Sequence, residues 1–359
     1  MNPEKIAFIE AIANEPDDDA LRLIYADWLD ENGDESRAEF IRIQCELAQI
    51  DEDDPLWLTL YDGEKDLLQE HRERWLKEHP ENSLRYSAYY PTFDRGFIDS
   101  IYTTPEAFQE HAEMLFRSTP CRAIKFRGAR NVVLTSLTNC TALAKVRQLS
   151  LPSAELTTER LRSLLSLPHL TGITSLYLEH NPFGAEGAKF LAHWPGSRNL
   201  RTLDLSSVSL REEGARELAQ SRHLGNLRKL NLGSTQLGDA GARALAESPT
   251  LTNLTKLHLH SNQMTSVGIG ALARSRILFR LTKLNLSVNG QRVEDSIEAM
   301  RELAHSPSLR RVKRLHLAAN HIGGEGAKHL ARSPLLEGLT WLSLMSNPLG
   351  VDAMRALAN

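Results

Sequence analysis

Four positively charged residues recur in the second half of the sequence at an almost constant spacing. Lys229, Lys256, Lys283 and Arg314 follow one another at intervals of 27, 27 and 31 residues. If a structural repeat places them side by side, their like charges repel one another unless an anionic partner screens them. The spacing therefore predicts a basic row that binds an acidic surface. A solvated row of long lysine side chains is the alternative.

Histidines accompany this row and raise the question of metal binding. His258 and His260 are two residues apart, so in a strand they project from the same side, as metal ligation allows. His316 would lie two strands away, which is about 10 Å at ordinary strand spacing, so a third ligand is lacking. We interpret these histidines as surface residues and predict neither a metal nor a cofactor.

Motifs that mark enzymes are missing from the sequence. It contains no Gly-x-Ser-x-Gly, P-loop, His-Glu-x-x-His or Gly-x-Gly-x-x-Gly motif, so we expect no catalytic residues and no enzyme. The pattern Asp30-x-Asn32-x-Asp34 is compatible with the start of a calcium loop. However, Glu35 and Ile41 occupy the positions where an EF-hand needs Gly and Glu. We therefore interpret this pattern as a capped helix end.

The elements that position the basic row form a repeat. Its clearest copy is Leu-Thr-Lys-Leu-His-Leu-His-Ser-Asn at 254–262, and most copies continue with a Gly-Ala pair and then Leu-Ala. A fixed period of this length is the mark of a solenoid. The fourth residues of the eight copies are spaced by 27 residues, except for one interval of 31: Leu149, Leu176, Leu203, Leu230, Leu257, Leu284, Leu315 and Leu342.

Each copy predicts one strand followed by one helix. Leucines two residues apart point to the same side of a strand, and the later Gly-Ala-x-x-Leu-Ala pattern has helical spacing. Parallel strands lie about 4.8 Å apart, whereas packed helices need about 8–10 Å. The sheet must therefore be concave, with the helices on the convex side.

With these motifs the chain resembles leucine-rich repeat proteins of the ribonuclease-inhibitor-like type, from about residue 121 to residue 359. The resemblance implies an α/β solenoid and non-covalent recognition of another protein on the concave sheet. It also implies that Asn181, Asn262, Asn289, Asn320 and Asn347 bond neighbouring turns in a ladder. Ala154, Val208 and Thr235 replace asparagine, so the ladder should be weaker among the earlier repeats. The copy that starts at Leu281 has four extra residues within 290–301 and no Gly-Ala pair, which predicts a bulge on the helix side.

Side chains between the strand leucines should form the open face. The predicted partner-binding residues are Lys229, Lys256, Lys283, Arg314, Tyr177, Asp204, Asn231, His258, Asn285, His316, His260 and Trp341. We predict an acidic protein as the partner. Nucleic acid is disfavoured because the row has few aromatic residues for stacking and the whole chain is not basic. Two alternatives stay open: a regulatory switch whose N-terminal module carries the activity or docks on the repeats, and a passive scaffold.

Charge divides the chain unevenly. Residues 1–80 contain 23 Asp or Glu and 8 Lys or Arg, while residues 81–359 contain 23 and 34. Apolar spacing in the acidic part predicts helices at 3–14, from about 19 to 30, at 37–49 and at 55–79, the last interrupted near Gly63. Ile6, Ile9 and Ala13 should face the core from the first, Leu21, Ile24 and Trp28 from the second, and Phe40, Ile43 and Leu47 from the third.

The segment from Pro16 to Asp34, followed by Arg37-Ala-Glu-Phe-Ile-Arg-Ile-Gln, resembles a bacterial repeat-companion domain of planctomycete and myxobacterial proteins. The likeness covers roughly residues 4–50, and that family implies no particular activity. We divide the chain into an acidic helical module at 1–80, a junction and N-terminal cap at 81–145, and eight repeats at 146–359. In the junction we expect a cluster of Tyr86, Tyr89, Tyr90, Phe93 and Phe97 around Pro91, a helix that starts at Thr104, and a degenerate first strand at 121–126.

The cellular location is predicted from what the sequence lacks. The N-terminal residues do not form a signal peptide, and no apolar run reaches the roughly 18 residues of a membrane span. Three widely separated cysteines argue for a reducing compartment. We therefore expect a cytoplasmic protein with no membrane segment, whose oligomeric state remains open.

Overall fold

The computed structural model describes residues 2–16, 18–50, 54–77, 79, 93–98, 100–126, 137–290 and 293–358. The chain forms two compact units, Met1–Ser150 and Leu151–Asn359. None of the helices in the described ranges combines the length and the apolar character that a membrane span needs.

Five helices account for most of the described residues of the first unit. They are α1 (Pro3–Asn14), α2 (Asp19–Glu31), α3 (Glu35–Leu47), α4 (Trp57–Lys77) and α5 (Pro105–Ser118). The predicted cap of α1 is confirmed, because Asn2 Oδ1 accepts the backbone N–H of Glu4 at 2.8 Å. The predicted start of α5 is also confirmed, since Thr104 Oγ1 accepts the N–H of Ala107 at 3.2 Å.

Two details of these helices were predicted wrongly. Helix α4 runs without a break through Gly63, where a Cβ would just touch the side chain of Ile43. Helix α2 packs Leu21 and Trp28 against the core as predicted, but Ile24 does not face it. Ile24 is 53% exposed, while Tyr25 and Leu29 are buried. The ring of Tyr25 stacks on Phe97, with ring centroids 5.7 Å apart, and this distant contact selects the buried face.

The third helix buries Phe40 as predicted, but its other core residues differ. Ile41 and Cys45 are buried, whereas Ile43 and Leu47 are only half-buried. Arg37 is also buried, with its guanidinium 4.6 Å from the ring centroid of Trp75 and 5.1 Å from that of Phe93. Cation–π contacts of this kind stabilise a charged group among aromatic rings.

A tight hairpin carries Phe93 and Phe97 into this core. Strands β1 (Phe93–Asp94) and β2 (Phe97–Ile98) pair antiparallel, and both residues of the turn between them, Arg95 and Gly96, have positive φ. The N–H of Gly96 donates to Gln44 Oε1 at 2.6 Å, which ties the turn to α3. The other members of the predicted aromatic cluster, Tyr86, Tyr89, Tyr90 and Pro91, lie outside the described residues.

The Asp30-x-Asn32-x-Asp34 pattern is a capped helix end, as predicted. Asn32 Nδ2 donates to the carbonyl oxygen of Trp28 at 2.8 Å, and the N–H of Asp34 donates to that of Leu29 at 2.9 Å. Between them Gly33 adopts φ +84°, which is usual for the residue after a helix. The carboxylate of Asp34 accepts a hydrogen bond from Arg74 at 2.8 Å.

Three parallel strands complete the first unit: β3 (Ser100–Thr103), β4 (Ala123–Phe126) and β5 (Gln148–Ser150). Their register places Ile101 beside Ile124, and Ile124 beside Leu149. The strand predicted at 121–126 is therefore present. It is not the first of the series, because β3 precedes it.

The second unit has seven consecutive parallel strands with helices on one side, as the predicted fold class requires. Because neighbouring strand leucines are direct partners, the 27-residue period becomes a fixed register. The strands are β6 (Ser175–Tyr177), β7 (Thr202–Asp204), β8 (Lys229–Asn231), β9 (Lys256–His258), β10 (Lys283–Asn285), β11 (Arg314–His316) and β12 (Trp341–Ser343). The helices are α6 (Thr158–Leu165), α7 (Gly184–His193), α8 (Arg211–Gln220), α9 (Gly238–Ala246), α10 (Ser266–Ala273), α11 (Val293–Ala304), α12 (Gly324–Ala331), α13 (Leu335–Gly338) and α14 (Val351–Ala358).

The predicted asparagine ladder is present. Asn262 Oδ1 accepts the backbone N–H of Thr235 at 3.0 Å and that of Leu237 at 3.3 Å, and its Nδ2 donates to the carbonyl oxygen of Leu232 at 2.6 Å. Asn181, Asn289, Asn320 and Asn347 bond neighbouring turns in the same way. Val208 is buried and has no polar side-chain atom. The hydroxyl of Thr235 keeps part of the ladder, because it lies 2.9 Å from Asn262 Oδ1 in the next repeat as well as 2.8 Å from the carbonyl oxygen of Leu232 in its own.

A second ladder, formed by serines that follow the helices in sequence, was not predicted. The serine after each helix donates its hydroxyl to the carbonyl oxygen of an alanine in the preceding repeat, at 2.5–2.7 Å. The donors are Ser221, Ser248, Ser275, Ser306 and Ser333, all buried. The signal was in the sequence, since a serine recurs two positions after each Leu-Ala pair in these repeats.

The irregular repeat lengthens its helix. Helix α11 contains 12 residues, whereas α10 and α12 contain 8 each. Residues 291 and 292, where part of the predicted bulge would fall, lie outside the described residues. The extra length leaves the strands undisturbed, because Leu284 of β10 still pairs with Leu315 of β11.

Candidate functional site

The sheet register places the predicted cations in one row. Lys229 pairs with Lys256, Lys256 with Lys283, and Lys283 with Arg314, and Trp341 follows Arg314 on the next strand. We call these five residues the basic stripe. At ordinary strand spacing, successive members are about 4.8 Å apart at the backbone. Lys283 is half-buried and the other four are exposed.

The charges of the stripe are not neutralised locally. Within the described part of the chain, no carboxylate lies within 4.0 Å of its lysine or arginine nitrogens. Partial burial lowers the pKa of Lys256, and the neighbouring charges of Lys229, Lys283 and Arg314 lower it further. The fold therefore holds like charges close together, at an electrostatic cost that an anionic partner would offset.

A second row of polar residues runs beside the stripe. In register from strand to strand, it consists of Tyr177, Asp204, Asn231, His258, Asn285 and His316. Asp204 is held in place because its Oδ2 accepts from Asn231 Nδ2 at 2.8 Å and its Oδ1 accepts from Ser206 Oγ at 2.7 Å. The amide oxygens of Asn231 and Asn285 accept the backbone N–H groups of Gly233 and Ser287. Asp204, Asn231 and Asn285 are thus held in place by hydrogen bonds within the sheet.

The three histidines of this face are poor bases. Burial, followed by the charges of Lys283 and the neighbouring histidines, lowers the pKa of His258 to about 4. Burial is also the main reason why the pKa values of His260 and His316 are lowered. All three are therefore neutral at pH 7, and the positive charge of the face comes from lysine and arginine alone.

Two of these imidazoles are packed against specific neighbours. The ring of His260 occupies the space above Gly233 that a side chain there would need. The ring of His316 lies 4.1 Å from that of Trp341, centroid to centroid. Within the described residues, no group of three or more His, Cys, Asp or Glu side chains is arranged to hold a metal ion.

The structure brings all twelve predicted side chains to the side of one sheet that faces away from the helices. Sequence reasoning missed how they contact one another, in particular the Asp204–Asn231 hydrogen bond and the His260–Gly233 packing. The glycine at 233, in a column otherwise filled by side chains, was the available signal. It missed Ser206 as well, whose place two residues after Asp204 allows the bond to its carboxylate.

Comparisons with known proteins agree with this architecture. Residues 169–192, 223–246, 250–273 and 309–331 match the Leucine Rich repeat family. The chain thus carries leucine-rich repeats, and its fold is the corresponding solenoid of parallel strands and helices.

A similar fold occurs in the crystal structure of the Rad7 and Elc1 complex of yeast. The TM-score is 0.53, and the alignment covers 93% of this chain and 87% of that chain at 15% sequence identity. At this level of identity the likeness concerns the fold alone. Comparison of the sequence with curated proteins gives no match.

Proposed function

We propose that this protein recognises another protein non-covalently, without catalysis, through the side of strands β6–β12 that faces away from the helices. The partner is acidic where it meets the basic stripe. The observation that carries the proposal is the row formed by Lys229, Lys256, Lys283 and Arg314, which the sheet register holds side by side without local carboxylates.

Electrostatics favours an anionic partner over water alone. Each added like charge raises the electrostatic cost of the row. Burial is the main cause of the lowered pKa of Lys256, and the charges of Lys229, Lys283 and Arg314 lower it further. Carboxylates of a docked protein would remove this cost while excluding water, so the interaction strengthens in the lower dielectric of an interface. Charge steering would also speed association at low salt.

The face as a whole has the composition of a protein interface. Tyr177, Trp341 and Arg314 belong to the residue types that contribute most to protein binding. Asp204 and Asn231 are already hydrogen-bonded to each other at 2.8 Å, so little side-chain entropy is lost on binding. Leucine-rich repeats themselves suggest protein–protein interaction, and the yeast complex of similar fold contains two proteins.

Other features support a proposed repeat subtype, N-terminal module and cellular setting. A strand and a helix in each 27-residue repeat support the ribonuclease-inhibitor-like subtype, and the capped helices around Asn32 support a bacterial repeat-companion module at the N-terminus. Cys45, Cys121 and Cys140 are all buried free thiols, which supports a reducing, cytoplasmic setting. Burial raises the pKa of Cys45 to about 11, so this thiol is unreactive at neutral pH.

The test uses the full chain and two triple variants of equal charge change. The stripe variant is Lys229→Glu, Lys256→Glu and Lys283→Glu. The control is Arg216→Glu, Arg243→Glu and Arg332→Glu, three positions on or beside the helices. Partners are captured from native cells at low salt, identified, purified and titrated against each protein.

The wild type should retain an acidic protein that elutes as salt rises. The stripe variant should bind that purified partner at least about ten-fold more weakly, the effect of losing a few charged contacts of about 1 kcal/mol each. The control should bind within about two-fold of the wild type. Equal binding by the stripe variant and the wild type would refute the proposal, provided circular dichroism shows both to be folded.

A further inference from the structure

Positive charge in the second unit is concentrated where the chain passes from each helix to the next strand. Residues 194–201, 221–229, 248–256, 275–283 and 306–314 contain thirteen Lys or Arg and no Asp or Glu. We call these five segments the strand-start edge. Leu151–Asn359 as a whole contains 25 Lys or Arg and 17 Asp or Glu, so the rest of the unit has 12 and 17. The unit is therefore basic at one edge and acidic elsewhere.

The cations of this edge are available to a partner. Twelve of the thirteen are exposed, and Lys283 is half-buried. In the ranges that the structure describes, none of them forms an ion pair with a carboxylate within 4.0 Å. By contrast, Arg274 and Arg301 on the helices pair with Glu302 and Glu298 at 2.6 Å. Arg198 Nε donates to His223 Nδ1 at 2.8 Å.

Hydrogen bonds between repeats hold the edge rigid. The backbone N–H of Arg228 donates to the carbonyl oxygen of Arg201, and that of Thr255 donates to Arg228, both at 2.8 Å. Asn226 Nδ2 donates to the carbonyl oxygen of Arg198 at 2.7 Å, and Asn253 Nδ2 donates to Gly225 at 2.8 Å. The charged side chains therefore project from a regular stack, one row for each strand.

The opposite edge carries the other sign. The first turns of α7, α8, α9 and α12 contain Glu186, Glu212, Glu213, Asp239 and Glu325. Carboxylates stabilise helix N-termini through the helix dipole, so their position needs no ligand. The helix dipole likewise favours cations close to helix C-termini, such as Arg222 and Arg276. This effect falls off within a turn, so it does not account for arginines nearer the strands, such as Arg201, Arg228 and Arg311.

We infer that the strand-start edge binds the phosphate backbone of a nucleic acid. Nine of the thirteen cations are arginine, whose planar guanidinium pairs with phosphate through two parallel hydrogen bonds. An edge of a single sign fits a polyanion of a single sign. The protein-binding face proposed above shares the four cations of the basic stripe with this edge. Beyond them that face carries Asp204 and neutral side chains, whereas the edge carries nine further cations and no carboxylate.

An exposed aromatic residue supports the same ligand. Phe279 is 46% exposed within the edge, and the guanidinium of Arg280 lies 5.8 Å from the centroid of its ring. Aromatic rings beside cations are platforms for stacking bases in single-stranded nucleic acids. The net charge of −4 for the whole chain conceals this edge, because the acidic N-terminal segment and helix starts outweigh it.

Fluorescence anisotropy with the full chain tests the inference. The probes are labelled DNA and RNA of about 20 nucleotides, single-stranded and duplex, between about 50 and 200 mM salt. The edge variant is Arg201→Glu, Arg228→Glu and Arg311→Glu, which leaves the basic stripe unchanged. The control is the helix variant Arg216→Glu, Arg243→Glu and Arg332→Glu, with the same change in net charge.

The wild type should bind at least one probe, and the edge variant should bind it at least about ten-fold more weakly, while the control stays within about two-fold. The slope of log affinity against log salt should fall by about 2 for a single strand, since each lost phosphate contact removes about 0.7. If the glutamates unfold the chain, Arg228→Gln with Arg311→Gln should still weaken binding.

Three results would overturn the inference: no binding of any probe, equal losses in the edge and control variants, or binding of polyglutamate as tight as that of the oligonucleotides. The last would assign the edge to acidic proteins. The two proposals share the four cations of the basic stripe, and the edge variant separates them because it retains Lys229, Lys256 and Lys283.

Discussion

The imidazole of His260 rests on the backbone of Gly233, one strand away in the sheet. Its Cε1, Nε2 and Nδ1 atoms occupy the space in which a Cβ at residue 233 would be placed. The missing side chain of Gly233 therefore lets His260 lie flat against the sheet, where burial lowers its pKa. A glycine in one repeat thus sets the protonation of a histidine in the next.

Replacing Gly233 with Ala should displace His260 towards solvent. Because the obstructing atoms belong to a flexible side chain, the melting temperature should change by only a few degrees, roughly the effect of 1 kcal/mol or less. The pKa of His260 should rise towards its ordinary value, since desolvation is the main cause of its shift. Histidine NMR titration measures this. Gly225→Ala, where a Cβ would have only an ordinary contact, is the control. A pKa of His260 that does not move would contradict the explanation.

Two glycines with nearly the same φ should differ in their tolerance of alanine. Gly33 has φ +84°, and a Cβ added there would meet nothing within 4 Å, so alanine should cost about 1 kcal/mol of backbone strain. Gly96 has φ +85°, but a Cβ there would overlap Ile41 and approach its backbone, so alanine should cost about 3 kcal/mol. Urea unfolding of the two variants measures the difference. Equal costs would show that the hairpin moves away from α3 freely.

The asparagine ladder should contribute most to the free energy of unfolding where its side chains are most buried. Asn262→Ala removes the acceptor for the N–H groups of Thr235 and Leu237 and the donor to Leu232, at a cost of about 3 kcal/mol. Asn347→Ala removes equivalent bonds at a partly exposed site, where water can replace them, so it should cost about 1 kcal/mol. Chemical denaturation provides both values. A larger cost at Asn347 would refute this ranking.

Acid should destabilise the first unit through His79. Ser118 donates its hydroxyl to the carbonyl oxygen of Leu115, so His79 Nδ1 is the donor to Ser118 Oγ at 3.1 Å. Burial, then the charges of Arg37 and Lys5, lowers the pKa of His79 to about 3. Between pH 6.5 and 3 the unfolded chain therefore binds a proton that the folded chain does not, and stability falls as pH falls.

The expected loss from His79 is about 2 kcal/mol between pH 7 and pH 5, since each pH unit below about 6.5 costs about 1.4 kcal/mol. His79→Gln should remove this part of the pH dependence of the urea midpoint. His321→Gln, at an exposed position, should leave the dependence unchanged. If His79→Gln shows the same pH dependence as the wild type, the histidine is not buried in its neutral form.

The features that were predicted most accurately from the sequence are those set by the period of the repeat. Because Leu257 and Leu284 are 27 residues apart and occupy the same place in the repeat, strand register follows, and with it the position of Lys256 beside Lys283. The choice of buried face on α2 could not be predicted in this way. Both Ile24 and Tyr25 fit a helical apolar spacing, and the ring of Phe97, about seventy residues later, decides between them.

The repeat pattern also could not predict how the side chains are oriented. The packing of His260 over Gly233 depends on the rotamer of the histidine and on the space left by the glycine. A list of strand positions specifies neither of them. The charged edge was missed for another reason. Net charge averages over the chain, whereas the strand-start edge becomes visible only when residues are grouped by where each repeat turns.

The four additional residues of the repeat that begins at Leu281 extend α11 and leave the pairing of Leu284 with Leu315 intact. In this architecture the helix layer can therefore grow or shrink while the sheet keeps its geometry. Insertions and deletions can then accumulate among the helices, one repeat at a time, without altering the face of the sheet.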